Sequence, residues 1–167
     1  MDFGLTPELL AFRDEVREII RTHVTPETIE RQHTTGTFDS PEVTRALAER
    51  GYIERCIPGL GTGDPVELWI LMGEMERAGV PHDALAVAMM IAAVVHRAGT
   101  DDQRARILPT ITSGEARVCM GYSEPDYGSD VASVITRTVR DGDQWVINGA
   151  KMWTTMAHVA DWLILLT

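Results

Sequence analysis

Two stretches of the sequence hold the side chains best suited to chemistry. The first, Ser123-Glu124-Pro125-Asp126-Tyr127-Gly128-Ser129-Asp130, combines serine hydroxyls with a proline and a glycine. A turn of this kind presents backbone N–H groups and serine oxygens that can hold an anionic or heteroaromatic group. Gly128 lets the backbone come close to whatever is bound. The second stretch, Trp153-Thr154-Thr155, sets a large flat ring next to hydroxyls. An aromatic face with a hydroxyl near it suits a planar ligand, one group packing on the ring and the other bonding its edge. Each residue also has an ordinary structural use: Trp153 as sheet core, Ser123 and Ser129 as turn formers.

Other combinations carry less. His158 reads as a loop residue, and no His, Cys, Asp or Glu set has the spacing of metal ligands. The run Ile57-Pro58-Gly59-Leu60-Gly61-Thr62-Gly63 invites a phosphate reading. No Lys-Ser/Thr follows it and no strand clearly precedes it, so the P-loop and dinucleotide fingerprints both fail. Met89 and Met90 have adaptable thioethers that could line an acyl pocket, although methionines on such a helix more often fill core.

The composition narrows the partners. The chain has 167 residues, a 44% hydrophobic share and a net charge of -10. That is room for one ordinary domain, or for one domain and part of another, with enough apolar residues for a core. Lys151 is the only lysine, and no basic cluster exists, so nucleic acid and anionic membrane surfaces are poor partners. Cys56 and Cys119 show no CxxC spacing and read as buried thiols of a reducing compartment. The N-terminus, Met1-Asp2-Phe3-Gly4-Leu5-Thr6-Pro7, shows no signal peptide. The longest apolar run, Ala84 to Val95, is too short to span a bilayer. A cytoplasmic location is the expectation.

The elements that must position these residues follow from periodicity and caps. Thr6-Pro7-Glu8 opens a helix whose core face is Leu9, Phe12, Val16, Ile19 and Ile20. Thr25 to Asp39 reads as a polar loop with room for a short helix after Pro26. Ser40-Pro41-Glu42 starts a helix that Gly51 caps, and residues 57–63 read as a flexible connector. Asp64-Pro65-Val66-Glu67 predicts a capping box and a helix stopping near Gly79. Ala84 to about Arg97 is apolar on all sides and is expected at the centre of a bundle. Thr100-Asp101-Asp102-Gln103 predicts a second capping box, on a helix that Pro109 kinks or ends and Ser113-Gly114 closes.

At Val118 the period changes from helical to alternating. Val118 to Tyr122, Ser133 to Arg140, Gln144 to Ile147 and Lys151 to Thr155 read as strands, and the chain ends in an apolar run from Trp162 to Leu166. Asp141-Gly142 and Asn148-Gly149 are hairpin signals, so an antiparallel meander is predicted. A sheet ending on an uncovered apolar run looks unfinished.

These features together resemble the acyl-CoA dehydrogenase family over essentially the whole chain. Ser123-Glu124-Pro125-Asp126-Tyr127-Gly128-Ser129-Asp130 is similar to the family's T-E-P-x-A-G-S-D. Ile147-Asn148-Gly149-Ala150-Lys151-Met152-Trp153-Thr154-Thr155 is similar to its I-N-G-x-K-x-W-I-T. The fold class so implied is α+β and multidomain: an all-α helical bundle over residues 1–117, then an incomplete antiparallel β domain over residues 118–167, with the C-terminal helical domain absent. The resemblance implies FAD as cofactor, with contacts from Met120, Tyr122, Ser123, Gly128, Ser129, Trp153 and Thr155.

Within that footprint Ser123 bonds the pyrimidine side of the ring system, and Gly128 and Ser129 approach the pyrophosphate. Trp153 packs on the ring, and Thr155 reaches the hydride-accepting nitrogen. Ser129 also lies near the pantetheine of the substrate, and Met89 and Met90 are candidates for the acyl chain. Glu124 and Asp130 are structural carboxylates in the family's motif. The implied activity is α,β-dehydrogenation of an acyl-CoA, with an electron-transferring flavoprotein as electron acceptor and a homo- or hetero-oligomeric assembly. The family's glutamate base lies in the C-terminal helical domain, so no catalytic residue is assigned to this chain.

Two other outcomes stay open: a non-catalytic partner subunit of a heteromeric acyl-CoA dehydrogenase, and a flavin-dependent monooxygenase on the same fold. The sequence departs from the family's usual pattern at Met120, at Tyr127 and over Thr154-Thr155-Met156-Ala157-His158.

Overall fold

The computed structural model describes residues 4–61 and 64–167. Met1-Asp2-Phe3, from the N-terminal reading, and Thr62-Gly63, from the expected connector, lie outside the described residues. The chain divides into two compact units, one ending at Ala116 and one running from Arg117 to Thr167.

The first unit is helical. Its elements are α1 (Pro7–His23), α2 (Pro26–Thr35), α3 (Pro41–Glu49), α4 (Tyr52–Cys56), α5 (Pro65–Arg77), α6 (Asp83–Ala98) and α7 (Asp101–Thr112). The Thr6 hydroxyl accepts from the Leu9 N–H at the start of α1, and Phe12, Val16, Ile19 and Ile20 are buried along one face. That face packs against α5 and α3, while α6 packs on α7. Val16, Leu47, Ile53, Leu71 and Met75 are fully enclosed at the centre of this unit. Arg17 adds a two-pronged ion pair from α1 to Glu74 of α5, at 2.7 and 3.0 Å. Its hydrogen bonds hold the Glu74 carboxyl below the usual range.

Several sequence expectations change here. The polar stretch after Thr25 forms a ten-residue helix, closed at both ends by a Thr25–Thr28 capping box and left-handed Gly36. Gly51 closes α3 as expected, left-handed at a φ of 71°, but the short α4, which was not expected, follows at once. Ile57, in the expected flexible connector, is fully buried. The capping box at Asp64 is only half made, because Asp64 accepts from Val66 while Glu67 turns inward to the Arg55 guanidinium. The Thr100–Gln103 box forms as expected. Helix α7 does not stop at Pro109; it continues to Thr112 despite the hydrogen bond that proline cannot donate. Helix α6 is not buried all round: Ala88, Met89 and Ala92 are enclosed, but Met90 and Val94 are 56% and 43% exposed.

The second unit holds β1 (Val118–Gly121), a 3-10 turn (Val131–Ser133), β2 (Arg137–Asp141), β3 (Gln144–Asn148) and β4 (Trp162–Leu165). The Asp141-Gly142 hairpin is present, with β2 and β3 antiparallel and Gly142 at a φ of 60°. The rest of the meander is not. Strand β1 pairs in parallel with β4, in the register Val118↔Trp162 and Gly121↔Leu165. Asp161 fixes that register by accepting from and donating to the Arg117 backbone, at 2.9 and 2.8 Å.

The second expected hairpin fails for a steric reason. Gly149 has a φ of 154° and lies so close to Thr136 that it serves as a site of close backbone approach, not as a turn between strands. Lys151 to Thr155 is not a strand either, since the positive φ of 58° at Trp153 breaks the extended backbone. Residues 133–136, expected to begin a strand, complete the 3-10 turn and the approach to β2.

Candidate functional site

The Ser123–Asp130 turn is held from inside by its own glutamate. Glu124 and Tyr127 exchange backbone hydrogen bonds of 2.7 and 3.2 Å, closing a tight loop. The Glu124 side chain is buried and accepts from the Ile135 N–H at 2.7 Å, the Thr136 N–H at 2.8 Å and Lys151 Nζ at 2.9 Å. Burial alone would push this carboxyl up, but the bonds from Ile135, Thr136 and Lys151 outweigh it and bring the pKa down to about 2. A carboxylate so saturated is a brace for the turn and has no capacity left to act as a base. Asp130 also has a structural bond, accepting from the Ser133 hydroxyl at 2.6 Å.

The second stretch is laid alongside this turn. The Met152 N–H donates to the Ser123 carbonyl at 2.9 Å, so Trp153 follows directly after a main-chain tie to Ser123. Lys151 makes a further link, from Nζ to the Tyr122 carbonyl at 3.0 Å. The indole of Trp153 is 84% exposed. The left-handed backbone of Trp153, at a φ of 58°, is strained, and strain of this kind clusters where a ligand is held. Met156, also left-handed at a φ of 63°, buries its side chain and anchors the loop behind Trp153 and Thr155.

Of the other sequence-derived candidates, Tyr122 is partly exposed at the end of β1, and Met120 is half-buried beside Ile164 in β4. Ser129 and Thr155 are exposed and Ser123 is half-buried. Among the described residues no hydrogen bond engages the side-chain hydroxyl of any of the three. A Cβ added at Gly128 would meet nothing within 4 Å, so there is open space above this part of the turn. Met89 and Met90 lie in the helical unit, Met89 in its core and Met90 on its surface. His158 is exposed, and no cluster able to hold a metal occurs among the described residues.

The structure also displays features that the residue types did not single out. Lys151 links the two stretches, and its signal was its position two residues before Trp153 as the only lysine of the chain. An open-sided cleft of about 330 Å³ runs between β1 and the segment leading into β4, lined by Cys119, Gly121, Lys151, Thr154, Asp161 and Leu163.

Residues 6–115 match the family profile of the acyl-CoA dehydrogenase N-terminal domain, and residues 119–167 match that of the middle domain. The chain belongs to the acyl-CoA dehydrogenase family. Acyl-CoA dehydrogenase FadE29 of Mycobacterium tuberculosis is 35% identical over 170 residues, covering 98% of this chain and 43% of the relative.

Among solved structures, the ChsE4-ChsE5 complex from Mycobacterium tuberculosis superposes with a TM-score of 0.85 at 33% identity, covering 99% of this chain and 43% of that one. A glutaryl-CoA dehydrogenase from Mycobacterium smegmatis in complex with FADH2 gives a TM-score of 0.80 at 27% identity, covering 96% and 42%. The chain thus has the acyl-CoA dehydrogenase α+β fold and spans about two-fifths of the length of these relatives. No helix among the described residues is long and apolar enough to cross a membrane.

Proposed function

We propose that the protein binds FAD and takes part in the α,β-dehydrogenation of an acyl-CoA thioester, with this chain supplying part of the flavin and thioester site. The observation that carries this reading is the Met152–Ser123 tie, which brings the backbone next to the exposed Trp153 up to a turn with unengaged hydroxyls. Those residues fit the group. Trp153 offers a bare aromatic face for a planar ring system, Ser123 and Thr155 offer free hydroxyls for its edge, and Gly128 leaves room for a diphosphate.

In this reading Met120 and Tyr122 border the ring at the end of β1. Ser129 serves both the diphosphate and the pantetheine arm. FAD, when bound, supplies the hydride-accepting chemistry. The chain's own contribution is to bind, align and exclude water. The base is assigned to no residue of residues 1–167, and an electron-transferring flavoprotein is the proposed electron acceptor.

A second reading is favoured by the similarity to a chain of the ChsE4-ChsE5 complex. There this chain belongs to a hetero-oligomer and lends flavin contacts to a base-bearing partner.

Anaerobic mixing of the purified full-length protein with a panel of acyl-CoA thioesters tests both. Bleaching of the flavin absorbance by a thioester supports the dehydrogenase. Bleaching only after a second, copurifying subunit is added supports the heteromer. Reduction by a nicotinamide nucleotide alone points instead to a flavin monooxygenase, and a protein that takes up no flavin overturns the proposal.

A further inference from the structure

We propose that Lys151 is a positioning residue of the flavin site, holding the Trp153 stretch against the Ser123–Asp130 turn through its ties to Tyr122 and Glu124. The inference rests on the flavin reading and deepens it. Three separate pieces of chain are tied together through the Lys151–Glu124 pair. Lys151 Nζ donates to the Tyr122 carbonyl at 3.0 Å and to Glu124 Oε1 at 2.9 Å, and Glu124 in turn accepts from the Ile135 and Thr136 amides. Both side chains are enclosed, with 9% of Lys151 and 1% of Glu124 exposed. A pair this buried is dominated by geometry, since solvent does little to screen it or to replace it.

What the pair governs is the spacing between the two equipped stretches. Tyr122 directly precedes Ser123, and Lys151 lies two residues before Trp153. The Met152–Ser123 bond is a single main-chain tie between the two stretches. With the Lys151 bond to the Tyr122 carbonyl the contact becomes two-point. The left-handed backbone at Trp153 makes this matter, because a strained residue keeps its conformation only while its surroundings over-determine it.

The test uses the full-length protein and three variants: Lys151→Met, Lys151→Arg, and the double Lys151→Met/Glu124→Gln, which leaves no unpaired buried carboxylate. Thermal melts identify which variants fold. On those, FAD affinity is measured by titrating the apoprotein while following tryptophan and flavin fluorescence, and the geometry of the bound flavin is followed by its visible circular dichroism.

The folded variants lacking the ammonium group are expected to bind FAD about ten- to a hundredfold more weakly, with an altered dichroic band, as both hydrogen bonds of the Lys151 ammonium group are lost. Lys151→Arg, which keeps the charge and a donor, is expected to recover part of the affinity. Wild-type affinity and an unchanged dichroic band in the folded double variant would overturn the positioning role while leaving the flavin reading intact. If the wild-type protein itself takes up no FAD, the flavin reading fails, and the proposal falls with it.

Discussion

Gly149 packs so closely on Thr136 that a Cβ built at Gly149 would stand 2.3 Å from Thr136 Oγ1 and 2.7 Å from Thr136 Cα. The positive φ of 154° adds a conformational demand to the steric one. Thr136 also donates its amide to Glu124, so this approach fastens the start of the Lys151 segment to the braced turn. Gly149→Ala is therefore expected to destabilise the full-length protein by about 2 kcal/mol or more. Urea denaturation followed by tryptophan fluorescence measures it, and a wild-type midpoint would show that the contact yields freely.

Trp153→Ala separates binding from stability. The indole is 84% exposed and supports little of the fold, so the apoprotein's stability should stay within about 0.5 kcal/mol of wild type. Its FAD affinity should fall about tenfold, the worth of one aromatic packing contact. Calorimetric melts and FAD titration read the two quantities independently. A large loss of stability with unchanged affinity would make Trp153 a structural residue.

Glu124 sets the acid limit of the β unit. Its folded pKa, about 2, lies below the ordinary 4.5, so between those values the unfolded chain binds more protons than the folded one. The stability it contributes is fully present above pH 4.5 and is lost as the pH falls towards 2. Glu124→Gln is expected to remove part of the acid slope. Urea midpoints recorded at steps across that window, for both proteins, compare the slopes directly.

The helical unit offers a double-mutant test. Glu67 is 7% exposed and paired with Arg55, whose side chain is 41% exposed. Arg55→Met strands a buried carboxylate, with an expected cost of about 1–3 kcal/mol after allowance for the solvent around the guanidinium. Adding Glu67→Gln to that variant should recover most of the loss. If the double variant is no more stable than the single one, most of the cost comes from lost packing of Arg55 over the Phe12 ring, 5.2 Å away.

Cys56 and Cys119 are each 2% exposed, and burial pushes both thiols up, Cys56 to about 12. Neither should react with a water-soluble disulfide reagent in the native protein in mildly alkaline buffer, whereas both should react at once in denaturant. Rapid native labelling of either would show that its cover opens readily.

Most of the helical unit was legible because its starts are local signals. Thr6 and Thr100 each cap a helix with their own hydroxyl, a feature written within four residues of sequence. What could not be read was settled by distant partners. Glu67 occupies a capping-box position yet is claimed by Arg55, and the five-residue α4 hides behind a glycine that looks like a terminus.

In the β unit, Asn148-Gly149 has the composition of a hairpin, but the glycine is needed for its approach to Thr136. The parallel pairing of β1 with β4 leaves no local mark at all. At the candidate site the serines, Trp153 and Thr155 were visible by residue type. The enclosed ties of Lys151 to Tyr122 and Glu124 were not, because a lone lysine usually reads as surface.

The β1–β4 ladder also fixes the order in which such a site can assemble. Arg117 and Asp161, which sit at its foot, are 44 residues apart. The residues proposed for the flavin site, Tyr122, Ser123, Gly128, Ser129, Trp153 and Thr155, thus belong to one excursion of chain whose two ends the ladder joins. Closing so long an excursion costs entropy before any contact within it is rewarded, which makes the ladder a late and slow event in folding. The helices, closed by local contacts, are therefore expected to form before the excursion that carries the proposed flavin site.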